Sequence, residues 1–182
     1  MKANDEDIKI FHPKKTDGAG ADLAELALLM DTYRSNGNMQ KAADLGVKLA
    51  QLKPENLCPK DAEKLKTNEL RQLRALIIFS VQISLHKYMP HAMLASQAIN
   101  AMYAEISEKS PGLFANISDG SSFTFYYLSV RNKKNAEESI GKNYAMLCDR
   151  DDDEFYASLG ERVFLLTDFK VCDMIEEAEF KE

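Results

Sequence analysis

Histidine and cysteine are scarce in this chain of 182 residues, three of each, and that scarcity removes classes of chemistry before any fold is considered. His86 and His91 stand five apart across Pro90, at an expected helix junction rather than on one helical face, and no second ligand pair of established spacing accompanies them. With a carboxylate such as Asp61 or Glu108 they are the candidates for an interhelical metal or small-ligand pocket, the enzyme-like alternative to the main reading below. Cys58, Cys148 and Cys172 are odd in number and too widely spaced for a metal ribbon or redox pair. They read as reduced thiols of a cytoplasmic protein. Gly18-Ala19-Gly20 lacks the preceding strand and following Lys-Ser/Thr of a phosphate loop, and Gly-x-Ser-x-Gly does not occur. No catalytic residue, cofactor or metal is assigned.

Long apolar runs are missing too. The greasiest stretch, Ala75 to Leu85, is interrupted by Ser80, Gln82 and Ser84 and falls short of the roughly 20 residues that cross a bilayer, so no membrane span is expected. The opening residues carry Asp5, Glu6 and Asp7 and no hydrophobic segment of signal-peptide length, so no cleaved leader is expected. Basic side chains number 23 against 29 acidic, and a formal charge of -6 supplies no general attraction to phosphate; nucleic acid is a poor partner. A local exception is Arg131-Asn132-Lys133-Lys134 beside Tyr126 and Tyr127, the mixture that stacking and phosphate contact require. In an acidic chain it reads as a solvated loop, with Tyr127 and Arg131 kept as partner-contact candidates. The acidic run from Asp149 to Glu154 fails as a calcium loop, because Glu154 stands where glycine must turn the chain and Gly160 where a bidentate glutamate belongs. Carboxylates at a helix start explain it.

What the chain has is helical grammar. Hydrophobic residues at 45% and charged ones at 29% suit one folded domain, taken as residues 21–182 behind a loosely docked tail, residues 1–20. Leu23, Leu26, Leu29 or Met30, and Tyr33 recur at helical spacing, with Asp22 as N-cap, Glu25 completing a capping box, and a stop near Asn36-Gly37. A second helix is expected from Met39 to Lys53, halted by Pro54 and lying antiparallel to the first. A third runs from Lys60 to His86, its second half the most buried part of the protein. A fourth spans His91 to Glu108. Residues 113–130 admit two readings: a β-hairpin about Asp119-Gly120, or a helix capped by Ser121 or Ser122 with Phe123, Tyr126, Tyr127 and Val130 on one face. Helix is preferred, since a solitary hairpin is marginal. Further helices are expected from Ala136 to Cys148 and from Asp152 to Glu179, the last bending near Thr167-Asp168.

Leu26, Leu29, Tyr33, Gly37, Ala42, Leu49 and Pro54 stand at the relative positions of a tetratricopeptide repeat, and residues 22–54 resemble one. Ala42 takes the close helix crossing and Gly37 the turn, whereas Leu26 replaces the usual tryptophan and Gly46 occupies an aromatic position. The resemblance implies an all-α fold, an irregular right-handed superhelical array of antiparallel hairpins with a long C-terminal helix. It also implies a groove that binds a protein or peptide without catalysis, with Asp31 and Arg34 facing it. Without a partner, those two form an exposed ion pair worth a few tenths of a kcal/mol at most. A third possibility is a structural protein that self-associates through a Leu or Phe face of the final helix.

Overall fold

The computed structural model describes residues 19–131 and 135–181. Ten helices and no strand occur among the described residues, so the chain is all-α. The expected tail lies outside them as far as residue 18, while Ala19 and Gly20 already belong to the first helix.

The organising element is α5 (Thr67–Tyr88). From Leu73 to Val81 every residue but the half-buried Arg74 is buried, as a mostly apolar run requires when helices cover it all round, and the one other polar side chain, Ser80, donates to the Leu76 carbonyl at 2.8 Å. The cover comes from α3 (Pro54–Leu57), α6 (Ala92–Lys109), α7 (Pro111–Ser118), α8 (Ser121–Arg131), α9 (Ala136–Leu147) and α10 (Glu154–Glu177). The expected helix from Lys60 is broken. α4 (Pro59–Ala62) is a single turn, residues 63–66 leave the helix, and α5 begins where the Glu69 carboxylate accepts the Lys66 amide at 2.7 Å. That carboxylate satisfies an amide a continuous helix would have paired, which fixes the new start. α10 is pinned to α5 through Asp168, whose carboxylate accepts from Ser84 at 2.7 Å, Tyr88 at 2.7 Å and Lys87 at 3.0 Å. Burial works against this charge, but the three donors outweigh it and hold the carboxyl below its ordinary range. α10 runs unbroken through the expected bend, where the Thr167 hydroxyl donates back to the Val163 carbonyl at 2.7 Å.

The N-terminal pair departs from expectation in two ways. α1 (Ala19–Ser35) starts before Asp22, which therefore lies inside the helix and is not its N-cap. Leu23 and Leu26 are exposed, so the first part of the expected apolar stripe of α1 is not core, while Tyr33 at its end packs against the core. The reason lies in α2 (Asn38–Leu49), which stops before the expected Lys53 and turns its buried side, with Ala42, Leu45, Gly46 and Leu49, chiefly toward α6. A Cβ at Gly46 would stand 2.1 Å from the Ala98 carbonyl oxygen, so the backbones approach as closely as glycine permits. α1 meets the body at its C-terminal end, where the Tyr33 ring lies 5.7 Å from that of His91. Gly37 does reverse the chain as expected, at φ 86°. The C-terminal segment closes over that turn: Asn38 exchanges two hydrogen bonds with the Lys181 backbone, at 2.7 and 3.0 Å, and Lys41 donates to the Glu179 carbonyl at 2.6 Å.

Residues 113–130 form the α7–α8 pair, not a hairpin, with Gly120 at φ 76° between them. Tyr126 is fully buried and Phe123 partly so, which gives the aromatic run a core to face that an isolated pair of strands would lack. α9 and α10 are as tight as α2 and α6: a Cβ at Gly141 would lie 2.2 Å from the Ala157 carbonyl oxygen. Asp153 caps α10, accepting the Phe155 amide at 2.9 Å, so the acidic run serves as a helix start.

These contacts make a differential prediction for chemical denaturation. Gly46→Ala and Gly141→Ala, which force a methyl into backbone, should each destabilise the fold by about 1–3 kcal/mol. Gly112→Ala, inside α7 with open space around it, should be neutral or stabilising by up to roughly 1 kcal/mol.

Candidate functional site

Where α8 passes the C-terminal half of α5, a hollow of about 510 Å³ opens, lined by Ile83 of α5 and by Thr124, Tyr127, Leu128, Val130 and Arg131 of α8. Helical spacing brings Thr124, Tyr127, Leu128 and Arg131 to one side of α8, while Tyr126, one residue from Tyr127, is directed into the core. Tyr127 is 45% exposed and Leu128 53% exposed. The hollow thus has an apolar floor and a rim with one guanidinium and one phenol.

The phenol is held in place. The Tyr127 ring stands edge-on to Phe79, with centroids 5.2 Å apart and planes at 88°. Its oxygen accepts from Gln82 Nε2 at 3.0 Å, and Gln82 Oε1 in turn accepts from the Tyr103 hydroxyl at 2.9 Å. Burial pushes the Tyr103 hydroxyl up to about 12, with Tyr127 adding to the rise, so Tyr103 remains the donor at neutral pH. Because the Tyr127 oxygen is the acceptor in this relay, its own O–H proton stays available to an incoming acceptor. The Thr124 hydroxyl is committed to the Gly120 carbonyl at 3.0 Å.

The sequence-selected residues divide between two places. Tyr127 and Arg131 meet at this hollow, whereas Asp31 and Arg34 lie on α1, which contributes nothing to its lining. Asp31 and Arg34 form an i,i+3 pair at 3.8 Å with side chains 77% and 60% exposed, an arrangement that contributes little. Lys133 and Lys134 of the basic patch fall outside the described residues. Leu128 and Ile83 were missed in the sequence, because apolar residues at helical spacing are indistinguishable from core until the neighbours are placed. The Tyr103–Gln82–Tyr127 relay joins three helices and has no sequence signal.

A second cleft, of about 470 Å³, is polar and includes Lys53, Arg74, Glu105 and Lys109 in its walls. Its charges are partly engaged, although Arg74 Nε is buried without a hydrogen-bond partner. Arg74 donates from Nη2 to the Ala50 carbonyl at 2.9 Å at the end of α2, and Glu105 pairs with Lys109. The histidine candidates do not assemble into a centre. His91 Nδ1 accepts the Met93 amide at 3.1 Å as the cap of α6, Asp61 is engaged by Lys64 and Arg162, and among the described residues no group of three His, Cys, Asp or Glu side chains is placed to hold a metal.

The thiols are set against nucleophilic use. Burial raises Cys58, with the Asp61 carboxylate adding to it, and burial pushes Cys148 up to about 11 against the opposing hydrogen bond from Tyr144. Cys172 is raised by desolvation and then by Glu176 beside it. Each shift lowers the thiolate fraction at neutral pH.

No family model, curated protein or solved structure matches the chain. Fold and site therefore define the class by themselves: an all-helical protein with a preformed apolar hollow on an exposed helix edge. Among the described residues no helix is long and apolar enough to cross a membrane.

Timed alkylation followed by peptide mapping tests the account of the thiols. Cys172, half-buried, should be modified first and more slowly than a free thiol, and the buried Cys58 and Cys148 should label only as the protein unfolds. A fast-reacting Cys58 or Cys148 in the native protein would contradict it.

Proposed function

We propose that the protein is a non-enzymatic, cytoplasmic module that binds a protein or peptide, and that the α5–α8 hollow receives an apolar anchor side chain of that partner. The observation that carries the reading is the pinned Tyr127 beside exposed Leu128, a rigid aromatic whose phenol has a proton to give at the lip of an apolar recess. Recognition sites of this kind combine a desolvated anchor pocket with few, well-placed polar groups, and a preordered ring costs little entropy on binding. Arg131 at the rim favours a carboxylate or backbone carbonyl next to the anchor.

The tetratricopeptide-like relation belongs to this proposal as a kinship of shape. The left-handed Gly37 turn supports it, whereas Ala42 is buried on the side of α2 that faces α6. The groove it implies on α1 is replaced in our reading by the hollow on α8, because the sequence-selected Tyr127 and Arg131 line that hollow and Asp31 and Arg34 do not.

Paired affinity capture from native cytoplasm tests the proposal, with wild type, Leu128→Asp and Tyr127→Phe as baits. A partner held by wild type should be lost with Leu128→Asp and weakened by about tenfold or less with Tyr127→Phe, the worth of one hydrogen bond. Equal recovery of the same partners on wild type and Leu128→Asp would remove the hollow as the site.

A further inference from the structure

The outward side of α10 carries a second apolar surface, separate from the residues that line the hollow. Phe169 is 67% exposed, and Leu165 and Leu166, about one turn earlier, are exposed as well. The inward side of the same helix is accounted for by Leu159, Val163, Thr167 and Val171, all fully buried. Phe169 therefore stands at the middle of a face that no described residue covers.

The charges flanking that face are arranged as mirror opposites. Arg162 lies about two turns before Phe169 and Glu176 about two turns after it, so the three residues run in a nearly straight line along the helix. Arg162 meets Asp61 with Nη2 but keeps a 48% exposed side chain, which leaves other donors of its guanidinium free for a further carboxylate. Glu176 is exposed. We propose that this face is a self-association surface on which two copies of α10 pair antiparallel about a two-fold axis at Phe169.

The line of charges selects that partner and that orientation. In an antiparallel pair centred on Phe169, each Arg162 faces the other copy's Glu176, the two Phe169 rings meet at the axis, and Leu165 and Leu166 lie beside the other copy's Cys172 and Asp173. A parallel pair would set Arg162 against Arg162 and Glu176 against Glu176, a like-charge arrangement that costs energy at both ends. A face complementary to its own copy is what an isologous dimer requires. One helix face buries a small area, so the association is weak and appears at high protein concentration.

Sedimentation equilibrium over a concentration series tests this proposal separately from the partner-binding reading, because Leu128→Asp should leave it unchanged. Wild type should move from monomer toward twice the monomer mass, and Phe169→Asp, a change at an exposed position, should remain monomeric with an unaltered circular dichroism spectrum. Arg162→Glu and Glu176→Arg should each weaken the dimer by about tenfold, and the double reversal should restore it. Wild type that stays monomeric throughout, Phe169→Asp that dimerises as wild type does, or a double reversal that recovers nothing would each overturn it.

Discussion

A strongly apolar helix segment cannot tolerate an open flank, and α5 between Ala75 and Val81, with Ser80 its one polar residue, is such a segment. The remaining architecture follows from covering it. Six helices contact α5, while α2 packs on α6 and α9 on α10, and these last two pairs sit close through small residues: Gly46 against Ala98, and Gly141 against Ala157. Charge is used to anchor that arrangement at its edges. Asp168 gathers three donors from α5, and Glu69 starts α5 while meeting Arg150 at 3.4 Å. These side chains stabilise the fold and are thereby withdrawn from chemistry.

Function is left to whatever the covering helices do not spend. α8 presents Tyr126 to the core and Tyr127 and Leu128 to solvent, so one short aromatic run both seals α5 and builds a recess beside it. α10 divides in the same way between Val163 and Val171 inside and Leu165, Leu166 and Phe169 outside. Two separate outward faces on helices held rigidly by one spine suit a protein that assembles with others. The cysteines complete this picture, since surroundings that raise all three thiols suit packing better than attack.

The helical class, the burial of α5 and the turn at Gly37 were legible because periodicity, a strongly apolar stretch and a glycine at a chain reversal each have a local physical cause. The break at residues 63–66 was not legible. It depends on Glu69 reaching back to the Lys66 amide, which competes with helix propensity over only a few residues. The partner of α2 was misread because Ala42 announces a close crossing without naming the helix that makes it; Gly46, noted as an anomaly against the repeat pattern, marks the crossing with α6. At the site, Tyr127 and Arg131 stood out by residue type, but the hollow between them required the position of Ile83 on another helix.

Native-state hydrogen exchange resolved by residue tests the central claim, that an enclosed α5 organises the molecule. Amides from Leu73 to Val81 should exchange only through global unfolding and be the slowest in the chain, while those from Leu23 to Leu28, on the exposed part of α1, should be among the fastest of any helix. Exchange of the α5 segment through partial opening, or protection of α1 equal to it, would contradict the account.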